Sequence, residues 1–169
     1  IAGIAASIAR RDDPNSLPGG TTPPATSTPD ADTSGEPVVF TAPLIGDVAK
    51  GHDLTLPVYS TTLNEYRTHG GIDIAAEAGS KVVAAADGTV AEITEDPLLG
   101  YSVSINHAGG LVTVYPNLAA ELADGMEVGA TVTRGQEIGT IGDSALIEVC
   151  DEPHLHFEMT LAGTAVNPL

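Results

Sequence analysis

From Val38 to its end the chain is a series of short runs rich in Val, Ile, Thr and Ala, broken by Gly and Asp: "KVVAAADGTVAEIT", "YSVSINHAGGLVTVYPNL", "ATVTRGQEIGTIG" and "LHFEMTLAGTAVNPL". β-Branched side chains fit a pleated surface and Gly lets the backbone reverse. The punctuation therefore predicts strands joined by hairpin turns at "ADG", "AGG" and "LAG". The expected fold is mainly β, a compact antiparallel sheet core over residues 38–169. Only "NLAAELADGMEVG" reads differently: Ala, Leu and Glu favour a helical turn there, closed by "ADG" and short enough to be a connector.

A length of 169 residues suits one domain, and an apolar fraction of 42% supplies its core. Residues 11–37 differ in kind, being dense in Pro, Ser, Thr, Asp and Gly. Such a segment buries too little apolar surface to offset the entropy of ordering, so it is expected to be a disordered linker. Residues 1–10, "IAGIAASIAR", are an apolar stretch shorter than the ~20 residues that span a bilayer. They read as the remnant of a membrane segment or signal peptide, or as the edge of a piece of chain. Arg10 and Arg11 would follow on the far side of the membrane, against the positive-inside tendency.

A formal charge of −17 with six Lys plus Arg argues against nucleic acid as a partner, because phosphate binding relies on clustered basic side chains. Cys150 is the only cysteine, so no intrachain disulfide forms. It is expected to be a small buried hydrophobe.

Five histidines carry most of the chemical interest. In "EPHLHFEM", strand alternation puts His154 and His156 on one face with Leu155 on the other. Two imidazoles then share one space, either as half-buried polar residues or as working groups. In "RTHGGIDIAA", His69 precedes Asp73 by four residues, and Gly70 and Gly71 argue for a turn entering a strand rather than a helix. Imidazole and carboxylate suit Zn²⁺, which in catalytic sites commonly takes three protein ligands and leaves one position to water. His69, Asp73 and one of His154 and His156 would make such a set; an imidazole hydrogen-bonded to a carboxylate without metal is the alternative.

The stretches "HGGIDIAAEAGSKVVAAADGTV", "GYSVSINHAGGLVTVYPNL", "GATVTRGQEIGTIG" and "EPHLHFEMTLAGTAVNPL" occur in the order and spacing of the lysostaphin-like M23 peptidases, the LytM family. The chain resembles that family from about Phe40 to Leu169. The resemblance implies a β-sheet core with a metal in its groove and a zinc endopeptidase cutting cross-bridges or stems of bacterial peptidoglycan. It also implies an extracytoplasmic location at the cell envelope. His69, Asp73 and His156 match the metal ligands, and His154 matches a catalytic histidine. Where active members read "YAHL" or similar, this chain reads "YPNL", with Asn117 at the place of the second catalytic histidine. An amide cannot act as a general base, although it can donate a hydrogen bond to an oxyanion. Losing a positioned acid or base typically costs ~10²–10⁴ in rate.

Two further stretches, "EDPLLGYSVSI" and "TLNEYRTHGGIDI", are similar to a subgroup of the family from spore-forming Firmicutes. That subgroup includes a component of the channel between mother cell and forespore, which is membrane-anchored and assembles with a membrane partner protein. The expected function is therefore a zinc-binding domain of impaired catalysis that docks a protein or peptidoglycan; the alternative is an active peptidoglycan endopeptidase. A biotinyl or lipoyl carrier, which "GMEVGATVTRGQEIGTIG" resembles locally, is excluded because residues 125–169 contain no lysine to modify. Of the remaining groups, His107 is expected to cap a turn or pack beside the sheet, and His52 to lie in a surface loop. Tyr66 and Arg67 could line the groove or serve the fold. Asp151 and Glu152 are expected in a solvated loop, and Cys150 as a thiolate donor would have to displace the ligand set.

Overall fold

The apolar runs become strands in the computed structural model, which describes residues 38–169. The apolar remnant and the linker expected for residues 1–37 lie outside the described residues. In chain order the strands are β1 (Asp47–Lys50), β2 (Asp53–Ser60), β3 (Glu65–His69), β4 (Ile72–Ala75), β5 (Lys81–Val83) and β6 (Gly88–Asp96). They continue as β7 (Gly100–Asn106), β8 (Leu111–Leu118), β9 (Thr131–Val132), β10 (Glu137–Thr140), β11 (His154–Leu161) and β12 (Thr164–Val166). The main sheet runs β1-β4-β11-β8-β7-β6-β9, with β12 also paired to β11; β2–β3 and β5–β10 form two small sheets. Every pairing is antiparallel, as the sequence predicts.

Alternation along β4 and β11 divides the two faces. Leu155 pairs with Ile74 and Phe157 with Ile72, and all four are buried in the core with Val103, Ile105, Tyr115 and Leu118. The opposite face of the same strands carries Asp73, His154, His156 and Glu158.

Two of the three expected hairpin turns form. "AGG" joins β7 to β8 through a short 3₁₀ turn, and Ala162–Gly163 joins β11 to β12 with both residues at positive φ (49° and 79°). "ADG" is instead a crossing between sheets, since β5 pairs with β10 while β6 pairs with β7 and β9. Gly88 is needed there for close approach, because an added Cβ would overlap the Asn106 carbonyl oxygen.

The helical turn expected in "NLAAELADGMEVG" does not form. The N–H of Ala119 donates to Thr140 and that of Ala123 to Ile138, so the backbone tracks β10, and its one internal bond, from the Met126 N–H to the Ala123 carbonyl, closes a turn rather than a helix. Leu122 and Met126 pack on the core, and that burial outweighs local helix propensity. Cys150 is exposed rather than buried, in the loop before β11, where its N–H donates to Thr62 Oγ1. Among the described residues no helix is long and apolar enough to cross a membrane.

Candidate functional site

The register of β4 with β11 sets His156 directly opposite Asp73. Side chains of a directly opposed pair project to the same face, and His156 Nδ1 lies 2.7 Å from Asp73 Oδ1. His69 closes β3 and reaches the pair across the Gly70–Gly71 corner, with Nε2 3.1 Å from Asp73 Oδ1 and 3.2 Å from His156 Nδ1. The corner can be this tight because Gly71 has no Cβ. One added there would overlap the Phe157 carbonyl oxygen and stand 3.0 Å from His156 Nε2.

The outer nitrogen of each imidazole is fixed. His69 Nδ1 is 2.9 Å from the Gly51 carbonyl oxygen, and His156 Nε2 is 3.0 Å from Glu158 Oε1. Both partners are acceptors, so each ring donates outward and turns its other nitrogen toward the shared centre. Burial opposes ionisation of Asp73, but hydrogen bonds and charge from His156 and His69 hold its carboxyl well below the usual carboxylate range. Burial likewise opposes a charged His156, and the Asp73 and Glu158 carboxylates outweigh it, pushing the imidazole up to about 10. Asp73 Oδ2 is buried with no hydrogen-bond partner among the described residues. Lys50 Nζ stands 3.4 Å from it but makes its hydrogen bond to Asp151.

Sequence reasoning missed a fourth member. Glu148 ends the 3₁₀ turn Leu146–Glu148, and one donor atom from each of His69, Asp73, Glu148 and His156 falls within 4.8 Å of the others. Nothing in "SALIEVCDEP" marks this glutamate, because an irregular turn has no period to read.

His154 shares the face but not the donor group. Its Nδ1 donates to the Glu152 carbonyl at 2.7 Å, and its Nε2 lies 3.2 Å from Glu148 Oε2. Burial favours the neutral ring, while the Glu148 carboxylate and the Glu152 carbonyl raise its pKa above the ordinary imidazole value. Asn117 is buried at φ 60° with its amide turned onto backbone. Nδ2 donates to the His154 carbonyl at 3.3 Å, and Oδ1 accepts from the Ala145 N–H at 3.3 Å.

A groove of about 260 Å³ runs past His69 and His156, between the β2–β3 hairpin and a wall that includes Leu99, Pro116 and Ile147. Arg67 lines it; Tyr66 faces solvent instead. His52 bonds to the Gly70 carbonyl, Asp151 pairs with Lys50, and Cys150 stands outside the donor group. His107 is buried, with Nδ1 2.8 Å from the Asp87 carbonyl and Nε2 2.7 Å from Thr113 Oγ1.

Comparison with known proteins places this geometry. The chain is 41% identical over 108 residues to stage II sporulation protein Q of Bacillus subtilis, covering 63% of this chain and 37% of that protein. It is 33% identical over 104 residues to peptidoglycan DD-endopeptidase ShyC of Vibrio cholerae, covering 62% of this chain and 23% of that protein. The matches thus span well under half the length of these relatives. Among solved structures it is similar to a SpoIIQ–SpoIIIAH pore-forming complex (TM-score 0.65, 32% identity, 78% of this chain and 89% of that one). It is also similar to a zinc-containing peptidase from Vibrio cholerae (TM-score 0.65, 25% identity, 76% of this chain and 39% of that one). Residues 67–168, more than half of the sequence, match peptidase family M23, and the chain belongs to that family.

Proposed function

We propose that residues 38–169 are a zinc-binding M23 domain at the extracytoplasmic cell envelope, impaired in catalysis and acting as a docking module for peptidoglycan or a membrane partner protein. Residues 11–37 would be the linker that leads into it. His69, Asp73 and His156 are the proposed metal ligands. The residues fit such an ion: two imidazoles oriented by outward hydrogen bonds converge on a buried carboxylate, one of whose oxygens makes no hydrogen bond. Zinc bound there supplies Lewis acidity toward a carbonyl oxygen.

The observation that carries the impaired reading is the orientation of Asn117. Its amide is engaged with the His154 carbonyl and the Ala145 N–H, so the place of the second catalytic histidine offers the groove no base. His154 holds its Nδ1 proton on the Glu152 carbonyl, leaving Nε2 to exchange protons, and that nitrogen faces Glu148. Docking is supported by the β2–β3 hairpin, which presents Leu56 and Tyr66 to solvent beside the groove. It is supported too by the relative whose structure is a complex with a second protein. The reading as an active endopeptidase is favoured by the convergence of the three proposed ligands and by the endopeptidase relative.

Incubating the zinc-supplied protein with purified insoluble peptidoglycan separates the readings. The expected outcome is co-sedimentation or partner binding with no release of soluble fragments above a metal-free control. Robust digestion would overturn the impaired reading.

A further inference from the structure

We infer that Glu148 is a fourth protein ligand, which closes the zinc site from within the chain and denies the metal its exchangeable position. The inference rests on the proposed ligand set of His69, Asp73 and His156.

An open zinc site keeps three protein ligands and leaves the fourth position to solvent or substrate, whereas a closed one fills all four positions with protein. Glu148 contributes a carboxylate oxygen to the same cluster as the other three donors, all within 4.8 Å. Its two oxygens face different partners: Oε2 lies 3.2 Å from His154 Nε2, and Oε1 lies 4.0 Å from His156 Nδ1 on the side of the donor cluster. The carboxylate therefore stands between His154 and the proposed metal position, the space a water or scissile carbonyl would need.

The turn is held in place. The N–H groups of Leu146 and Ile147 donate to the Pro97 and Leu98 carbonyls, and the Asp151 N–H donates to the Glu148 carbonyl. Asn117 supports the same turn through the Ala145 N–H. The residue at the missing histidine's place thus helps to seat the turn that delivers Glu148.

The test uses the whole chain, metal-depleted and reloaded with Zn²⁺ or Co²⁺, as wild type, Glu148→Gln and Glu148→Ala. Far-UV circular dichroism checks that each variant is folded; Gln keeps the shape of Glu where Ala could loosen the turn. Zinc affinity is read by competition with a chromophoric chelator, and access to the metal by the change in the Co²⁺ visible spectrum on adding azide. The expected result is one zinc per wild-type chain and no azide response. Both variants should bind zinc at least ~10–100-fold more weakly, the cost of losing even an outer-shell partner, and respond to azide. Wild type that binds zinc and responds to azide as the variants do, with affinities within about twofold, overturns the inference and leaves the three-ligand reading standing. Wild type that binds no zinc overturns both.

Discussion

Asn117 shows how one residue changes a site by what it bonds to. Its left-handed backbone (φ 60°) is tolerated by Asn far better than by residues with a larger or apolar Cβ substituent. Its amide bonds to one backbone carbonyl, that of His154, and to one backbone N–H, that of Ala145. Asn117→Ala would remove both hydrogen bonds and place Ala at a strained φ, costing about 2–4 kcal/mol. Asn117→Gly removes the same hydrogen bonds without the backbone strain, so it should recover about 1 kcal/mol of that loss. Urea unfolding of the three proteins measures both differences. An Asn117→Ala variant as stable as wild type would show that the amide is not structural.

At the level of elements, the register of β4 on β11 and the crossing from β5 to β6 explain which parts of the molecule the sequence reveals. The i, i+2 spacing of His154 and His156 was enough to place both on one face, and "HGGID" marked a turn entering a strand. What remained hidden depends on contacts distant in sequence. Glu148 reaches the site because its turn hangs on Pro97 and Leu98. "ADG" crosses between sheets because β10 captures β5. "NLAAELA" is held along β10 by bonds to Thr140 and Ile138. The crossing also gives His107 its role. His107 Nδ1 donates to the Asp87 carbonyl, so its Nε2 must accept from Thr113, whose hydroxyl oxygen lies 3.0 Å from Tyr115 OH. Burial pushes the His107 pKa below the ordinary imidazole value, and the Asp87 carbonyl and carboxylate offset this only in part. Above the unfolded value of ~6.5 the ring is neutral in both states and its contribution is complete. As pH falls through ~6.5 the unfolded chain takes up a proton that the folded ring resists, so stability is lost down to the folded pKa. His107→Gln does not titrate. It should therefore unfold earlier than wild type at pH 7.5, by about 1–3 kcal/mol for the disrupted bonds, with a gap that narrows by pH 5. Groups common to both proteins largely drop out of the difference between them. A gap that stays constant or widens toward pH 5 would contradict this assignment.

For the whole molecule, the proposed metal position ties together pieces of chain that the sheet alone joins loosely. His69 comes from the β2–β3 hairpin, outside the main sheet, while Asp73 and His156 come from adjacent strands within it and Glu148 from an irregular turn. An ion held by these groups in the folded state alone adds stability that grows with the logarithm of its concentration, about 2.7 kcal/mol at a hundredfold excess over Kd. For a domain of this size that corresponds to a rise in melting temperature of roughly 5–10 °C. The chain's charge of −17 complicates the reading, since any divalent cation relieves repulsion among its carboxylates. Magnesium separates the two effects. It prefers octahedral oxygen ligands and is a poor match for imidazole, so at equal concentration and ionic strength it reproduces the general screening without filling the site. Thermal unfolding of metal-depleted protein should therefore respond strongly to zinc and weakly to magnesium, with excess chelator reversing the zinc shift. Equal responses to the two ions would mean that the cation acts on the surface charge and not at the His69–Asp73–His156 cluster.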